Sequence, residues 1–154
     1  MNSMLIRRIK PIETLPIRHE ILRPNSDISD CIYPGDDDQT TAHFAAIEND
    51  VLLAILSIYR RSHLNIKNDG GYQLRAMATM PSIRGQGIGF KLLAAAERYA
   101  RQNNSAYLWA NARAVALGFY SKAGYTVDSE VFEIKNVGPH FLVSKTLGKH
   151  EDRI

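Results

Sequence analysis

Tyr72, Leu74, Ala76 and Ala78 alternate with Gln73, Arg75, Met77 and Thr79, and this two-residue period predicts a strand over residues 72–79. Shortly afterwards Ile88, Leu92, Ala95 and Tyr99 recur at steps of four, three and four. That spacing puts them on one face of a helix over residues 87–103. Glu97 and Arg101 stand four apart on the opposite face, and Asn103-Asn104 stops the helix. Residues 41–48 and 51–60 predict two strands joined by Asn49-Asp50, a pair suited to a hairpin turn. Residues 65–71 read as a polar turn.

Residues 105–110 (SAYLWA) form a short apolar strand, and residues 113–122 a helix closed by Gly124, which suits the left-handed position after a helix. Residues 127–134 and 141–146 predict two last strands. Towards the N-terminus, residues 4–17 read as a short strand and then a helix broken by Pro11 and Pro16. Residues 17–22 add a weak helical patch, ended at Arg23-Pro24 because the residue before a proline avoids the helical region. Residues 25–40, with Pro34-Gly35 and the run Asp36-Asp37-Asp38, read as a loop. Strands, a helix, a strand, a helix and more strands make an α/β (α+β) protein with a mixed sheet.

Composition narrows the class. The chain has 154 residues, 45% hydrophobic and 23% charged, with no internal repeat or linker-like stretch, so residues 1–154 read as one domain. Disordered, collagen-like and disulfide-dense classes are excluded. A single cysteine, Cys31, allows no intrachain disulfide and suits a reducing compartment. No apolar run of signal-peptide length follows the basic start, and residues 51–56 are too short to cross a bilayer. The reading is a cytoplasmic protein with no membrane partner. The net charge is +3, but Lys and Arg are scattered, which suits an anionic small ligand better than nucleic acid. The three aspartates lack the ladder of ligands a hard cation needs and read as a solvated loop, so no metal is expected.

The most informative stretch is residues 80–91, MPSIRGQGIGFK, between a strand and a helix. Such a turn can offer unpaired backbone N–H groups. Gly85, Gly87 and Gly89 permit close approach and positive φ, the helix start adds partial positive charge, and Arg84 adds a full one. The dinucleotide fingerprint fails because Phe90-Lys91-Leu92 follow Gly89, and no Gly-Lys-Ser/Thr completes a P-loop. On these residues alone, a plain chain reversal and an anion site both stay open.

Arg84-x-x-Gly87-x-Gly89, after a strand ending in Thr79-Met80-Pro81, resembles the acetyl-CoA motif of the GNAT superfamily of N-acetyltransferases. Asn111, then Tyr120-x-Lys122-x-Gly124-Tyr125, resembles the second half of that family's signature, and the two parts together cover residues 72–125. Gly138-Pro139-His140-Phe141 is similar to a small bacterial branch of the superfamily. The resemblance implies a curved, mostly antiparallel sheet of about six to seven strands, splayed where acetyl-CoA lies between the strands at residues 72–79 and 105–110. It implies that backbone groups of Met77, Ala78 and Thr79 pair with the pantetheine arm. The N–H groups of Arg84, Gly85, Gln86, Gly87, Ile88 and Gly89 would hold the pyrophosphate, with Asn111, Tyr120 and Lys122 completing the cofactor site. Two departures stand out. Gln73 and Arg75 occupy the strand where family members often carry a glutamate base. Arg113 stands seven residues before Tyr120, where many members have asparagine, while Asn111 stands nine before it, so either could take that role.

The implied activity is acetyl transfer from acetyl-CoA to a primary amine of a small molecule or peptide, in a ternary complex. Tyr120 is the candidate proton donor to the CoA thiolate, since a phenol of pKa about 10 stays protonated at neutral pH. His43 and His140 are candidate bases, and a water relay is a third route. His19, His63 and His150 read as surface residues, Trp109 as core, and Cys31 as no nucleophile. The alternative function is a CoA-binding sensor or scaffold with the same fold. The acceptor is unidentified, and both monomer and homodimer are open.

Overall fold

The computed structural model describes residues 4–66 and 69–148; His150 lies outside them. Within the described residues the strands β1 (Leu5–Ile9), β2 (Ala42–Glu48), β3 (Val51–Arg60), β4 (Gly71–Thr79), β5 (Tyr107–Arg113), β6 (Thr126–Val127), β7 (Phe132–Ile134) and β8 (Gly138–Thr146) follow the order β1-β2-β3-β4-β5-β8-β6, with β7 pairing to β8. The chain folds as two compact units: residues up to Arg60 with Leu74–Tyr99, and Arg61–Gln73 with the chain from Ala100 onward.

In the first unit, β1 (Leu5–Ile9), β2 (Ala42–Glu48) and β3 (Val51–Arg60) are antiparallel, with Ile9 opposite His43 and His43 opposite Ser57. Asn49 (φ 51°) and Asp50 (φ 64°) are both left-handed, which matches the twist of a two-residue hairpin. β2 is buried from Ala42 to Ile47 and β3 from Ala54 to Tyr59 without alternation, as expected of strands covered on both faces. Ile9, Ile17, Ala45, Ile47, Ile55 and Ala78 form a core, with Leu52 and Met80 packed against it. The link from β1 to β2 is a 3-10 turn at Pro11–Thr14, the short α1 (Leu15–Ile17), a wide π-type turn at Arg18–Leu22 and a 3-10 turn at Ile28–Cys31.

β4 (Gly71–Thr79) and α2 (Ile88–Gln102) follow. α2 buries Ile88, Leu92, Leu93, Ala96, Glu97 and Ala100, while Ala95 and Tyr99 are half-buried. The buried stripe is therefore rotated from the expected one, and Glu97 lies inside it rather than on the solvent face. A helical period gives a stripe but not where its centre points. No helix among the described residues is long and apolar enough to cross a membrane.

In the second unit, Gly71, Tyr72 and Gln73 of β4 pair in parallel with Tyr107, Leu108 and Trp109 of β5 (Tyr107–Arg113). β5 pairs antiparallel with β8 (Gly138–Thr146) along its whole length. Position 71 must be glycine, because a Cβ there would lie 2.3 Å from the ring of Tyr107. Trp109 is core, with Tyr107 and Leu142, and its indole N–H donates to the Arg61 carbonyl at 2.7 Å.

Two expected boundaries shift. β5 starts at Tyr107 and continues to Arg113 because buried Ala112, between exposed Asn111 and Arg113, keeps the pleat going. A 3-10 turn at Ala114–Ala116 then delays α3 to Leu117–Lys122. The strand expected over residues 127–134 is two strands, β6 (Thr126–Val127) and β7 (Phe132–Ile134), both paired with β8. Between them the Ser129 hydroxyl, not a backbone carbonyl, accepts from Leu142 N–H at 2.8 Å, which interrupts the ladder.

Candidate functional site

β4 is kinked just before the stretch expected to meet the pantetheine arm. Ala76 has φ 58°, a left-handed conformation that costs an alanine about 1–2 kcal/mol. The kink breaks the alternation, so Ala76 and Met77 are both half-buried before buried Ala78 and half-buried Thr79. After Met80 and a 3-10 turn at Pro81–Ile83, Arg84 to Gly87 lead into α2.

Gly85 (φ 81°) and Gly87 (φ 77°) are left-handed, and nothing lies within 4 Å of where a Cβ on either would stand. The backbone there is bare and approachable. Gly89 differs from the expectation: it sits in the first turn of α2 without positive φ. The first bond of the helix runs from Lys91 N–H to the Gly87 carbonyl at 3.3 Å. By helix geometry the N–H groups of Ile88 and Gly89 then have no acceptor within the helix. The Ile88 side chain is buried, so this residue can offer only its backbone; Gln86 is exposed. Arg84 is exposed, and its Nε donates to the Thr79 carbonyl at 3.2 Å, tying the turn to the end of β4.

In the second unit, α3 ends in a Schellman motif that uses the Tyr120 carbonyl. Tyr125 N–H donates to the Tyr120 carbonyl at 2.9 Å and Gly124 N–H to the Ser121 carbonyl at 3.1 Å, with Gly124 left-handed at φ 93°. The rings of Tyr120 and Tyr125 meet edge to face at 5.4 Å, the apolar contact that accompanies this motif. The spacing Tyr-x-x-x-Gly-Tyr is thus a helix-closing device that fixes the main chain at Tyr120 and packs its ring against Tyr125. Tyr120 is only 8% exposed, and burial, the one cause acting on it, pushes its pKa up to about 12. Among the described residues its hydroxyl makes no hydrogen bond.

Asn111 and Arg113 are both exposed on β5 and, two residues apart, share a face. Lys122 is exposed in the last turn of α3, while Lys145 supplies the bond to the Ala123 carbonyl at 3.0 Å. His140, 4% exposed on β8, stacks on Phe132, and its Nδ1 lies 2.8 Å from the Gly138 carbonyl. Nδ1 must carry the proton to make that bond, so the lone pair is on Nε2.

His43 has a different setting. Its Nε2 lies 3.0 Å from the Asp36 carbonyl and must donate; its Nδ1 lies 2.7 Å from the Ser57 hydroxyl and must accept. Burial depresses its pKa, so the ring is neutral with both nitrogens engaged. It belongs to a buried network around Arg18, which is 0% exposed. Arg18 grips the Asp36 carboxylate in a fork at 2.7 and 3.1 Å and also reaches the Cys31 carbonyl, Ser57 and Tyr59. The Tyr59 hydroxyl donates to Asp36 at 2.5 Å, and burial first, then that bond, pushes its pKa up to about 12. Asp36 is therefore 4% exposed and ion-paired, unlike the solvated loop expected; Asp37 and Asp38 are exposed. Sequence alone carries no sign of this, because Arg18 and Asp36 sit in polar-looking segments and meet only through β2 and β3. His19 and His63 are half-buried, His63 edge-on to Trp109 at 4.6 Å. Cys31 is buried, which raises its thiol pKa and keeps it unreactive.

Comparison with solved structures gives the class first: the fold is that of acetyltransferases. The chain matches the ribosomal-protein-S18-alanine N-acetyltransferase of Escherichia coli with a TM-score of 0.73 at 15% identity, over 100% of this chain and 99% of that one. It matches an aminoglycoside 6'-N-acetyltransferase complexed with coenzyme A with a TM-score of 0.72 at 14% identity, over 96% and 99%. Residues 10–125 match the acetyltransferase (GNAT) family. The chain is also 32% identical over 142 residues to the uncharacterized N-acetyltransferase YitI of Bacillus subtilis (strain 168), covering 92% of this chain and 95% of that protein. The chain belongs to the GNAT family of acetyltransferases.

Proposed function

We propose that this protein transfers the acetyl group of acetyl-CoA directly to a primary amine of a small molecule or peptide. Acetyl-CoA supplies an activated thioester; the chain's residues hold it, orient it and manage protons. The bare backbone at Gly85 and Gly87, the N–H groups opening α2 and the charge of Arg84 suit a pyrophosphate. The kinked end of β4, Met77 to Thr79, takes the pantetheine arm as an added strand would be taken. Asn111 or Arg113, with Lys122, completes the contacts. The bond from amine nitrogen to acetyl carbon forms as the bond to sulfur breaks, which leaves one proton to remove from nitrogen and one to supply to sulfur.

The observation that carries this reading is the Tyr120 hydroxyl, buried at the helix close, held protonated by that burial and making no hydrogen bond among the described residues. It donates to the sulfur as negative charge develops there. For nitrogen, His140 offers a lone pair on Nε2, whereas both nitrogens of His43 are engaged.

Tyr120→Phe keeps the ring and removes only the hydroxyl. We expect kcat to fall roughly 10²-fold or more, with little change in the dissociation constant of acetyl-CoA. Stability should hold, since no hydrogen bond is lost. Turnover at the wild-type rate would remove Tyr120 from the chemistry. A CoA-binding protein without catalysis would instead bind acetyl-CoA and release no thiol with any amine.

A further inference from the structure

Arg8, Arg18, Arg23, Arg61 and Arg84 each donate to a carbonyl or side-chain oxygen. Arg75 does not. It is half-buried on β4, where its guanidinium lies over the ring of Tyr33 at 5.0 Å and that of Tyr59 at 5.8 Å. Among the described residues it has no carboxylate or carbonyl partner.

The buried network beside it supplies no free negative charge: Arg18 and Asp36 neutralise one another, Tyr59 is held protonated, and His43 is neutral. Arg75 presents its charge on a planar fork of five N–H donors. Aromatic faces steady the cation but satisfy none of those donors. A half-buried guanidinium has lost part of its hydration, and an incoming carboxylate would return it through two parallel hydrogen bonds. The location suits an acceptor: Arg75 directly precedes the kink at Ala76, beyond which lies Met77.

We propose that Arg75, over Tyr33 and Tyr59, binds a carboxylate on the acceptor, so that the amine acetylated belongs to a free amino acid or to a peptide bearing its own C-terminus. This deepens the acetyl-transfer reading and rests on it.

The test measures thiol release from acetyl-CoA with the twenty amino acids and a set of glycyl dipeptides, each beside its C-terminal amide. Each pair differs in the carboxylate charge and in the amine's basicity, so rates are compared per neutral amine. For the preferred acceptor, wild-type kcat/KM should be about 10- to 100-fold higher for the acid than for the amide. The amino-acid and dipeptide arms tell the two carboxylate sources apart. Arg75→Met keeps the apolar stem over the rings and should bring the acid-to-amide ratio close to one, mainly through KM. Arg75→Lys should retain part of the preference. Melting temperature and the shift caused by acetyl-CoA, compared with wild type, check that each variant is folded. If the methionine variant does not fold, the wild-type and lysine ratios decide the question. Equal rates for acids and amides, a preference that survives in Arg75→Met, or no turnover across the panel by a protein that acetyl-CoA stabilises would each overturn the carboxylate site. A wild-type melting temperature that acetyl-CoA leaves unmoved would overturn the transferase reading instead.

Discussion

Arg18 carries a full charge with no exposure to water, which is tolerable only because the Asp36 carboxylate lies against it. Burial alone would raise the Asp36 pKa; hydrogen bonds from Arg18, Tyr59 and the Tyr33 N–H outweigh burial and hold it below the usual carboxylate range. Asp36→Asn keeps the shape and removes the charge, leaving a buried guanidinium uncompensated. We expect a loss of about 3–5 kcal/mol, read from the urea unfolding midpoint. Asp37→Asn, one residue along but exposed, should stay within about 0.5 kcal/mol of wild type.

Two local devices act through backbone geometry more than side-chain chemistry. The Schellman close of α3 sets the main chain at Tyr120, and the left-handed glycines before α2 set a turn where a Cβ on Gly85 or Gly87 would meet open space. Gly87→Asp puts a Cβ and a carboxylate into that space and forces φ 77° on an L-residue. A ligand that binds only the folded protein raises its melting temperature by mass action. The shift with acetyl-CoA should therefore appear in wild type and vanish in Gly87→Asp. An equal shift in both proteins would move the phosphate site elsewhere.

For the molecule as a whole, the network in the first unit predicts acid lability in two stages. His43 has a depressed pKa when folded, so near its unfolded value of about 6.5 the unfolded chain takes up a proton that the folded one refuses. The stability it contributes is complete above that pH and lost progressively as pH falls towards the folded value. Asp36, also depressed, contributes above its unfolded value of about 3.9 and fails only below it. Thermal melts from pH 8 to 3 should show a first decline beginning near 6.5 and a second below about 4. His43→Gln should flatten the first and leave the second. A first decline of unchanged size in that variant would assign it to other groups.

Sequence by itself determined the elements whose information is local. Strand β4, the helix after the glycine turn, the Asn49-Asp50 hairpin and the Gly124 helix stop are each set by residues within a few positions of one another, and all four elements are present, although β4 does not keep its expected burial alternation. The family signature was legible for the same reason, since a turn and a helix close are short-range devices. Tertiary structure alone decided which way α2 faces, the kink at Ala76, and the division of the strand after Gly124, where β8 and the Ser129 hydroxyl set the register. It also decided the state of the charges. Asp36 and Asp37 are neighbours of identical chemistry, yet one is buried against Arg18 and the other lies in water. Eighteen positions of sequence separate Arg18 from Asp36, and Coulomb energy and desolvation depend on distance through space, which no periodicity along the chain encodes.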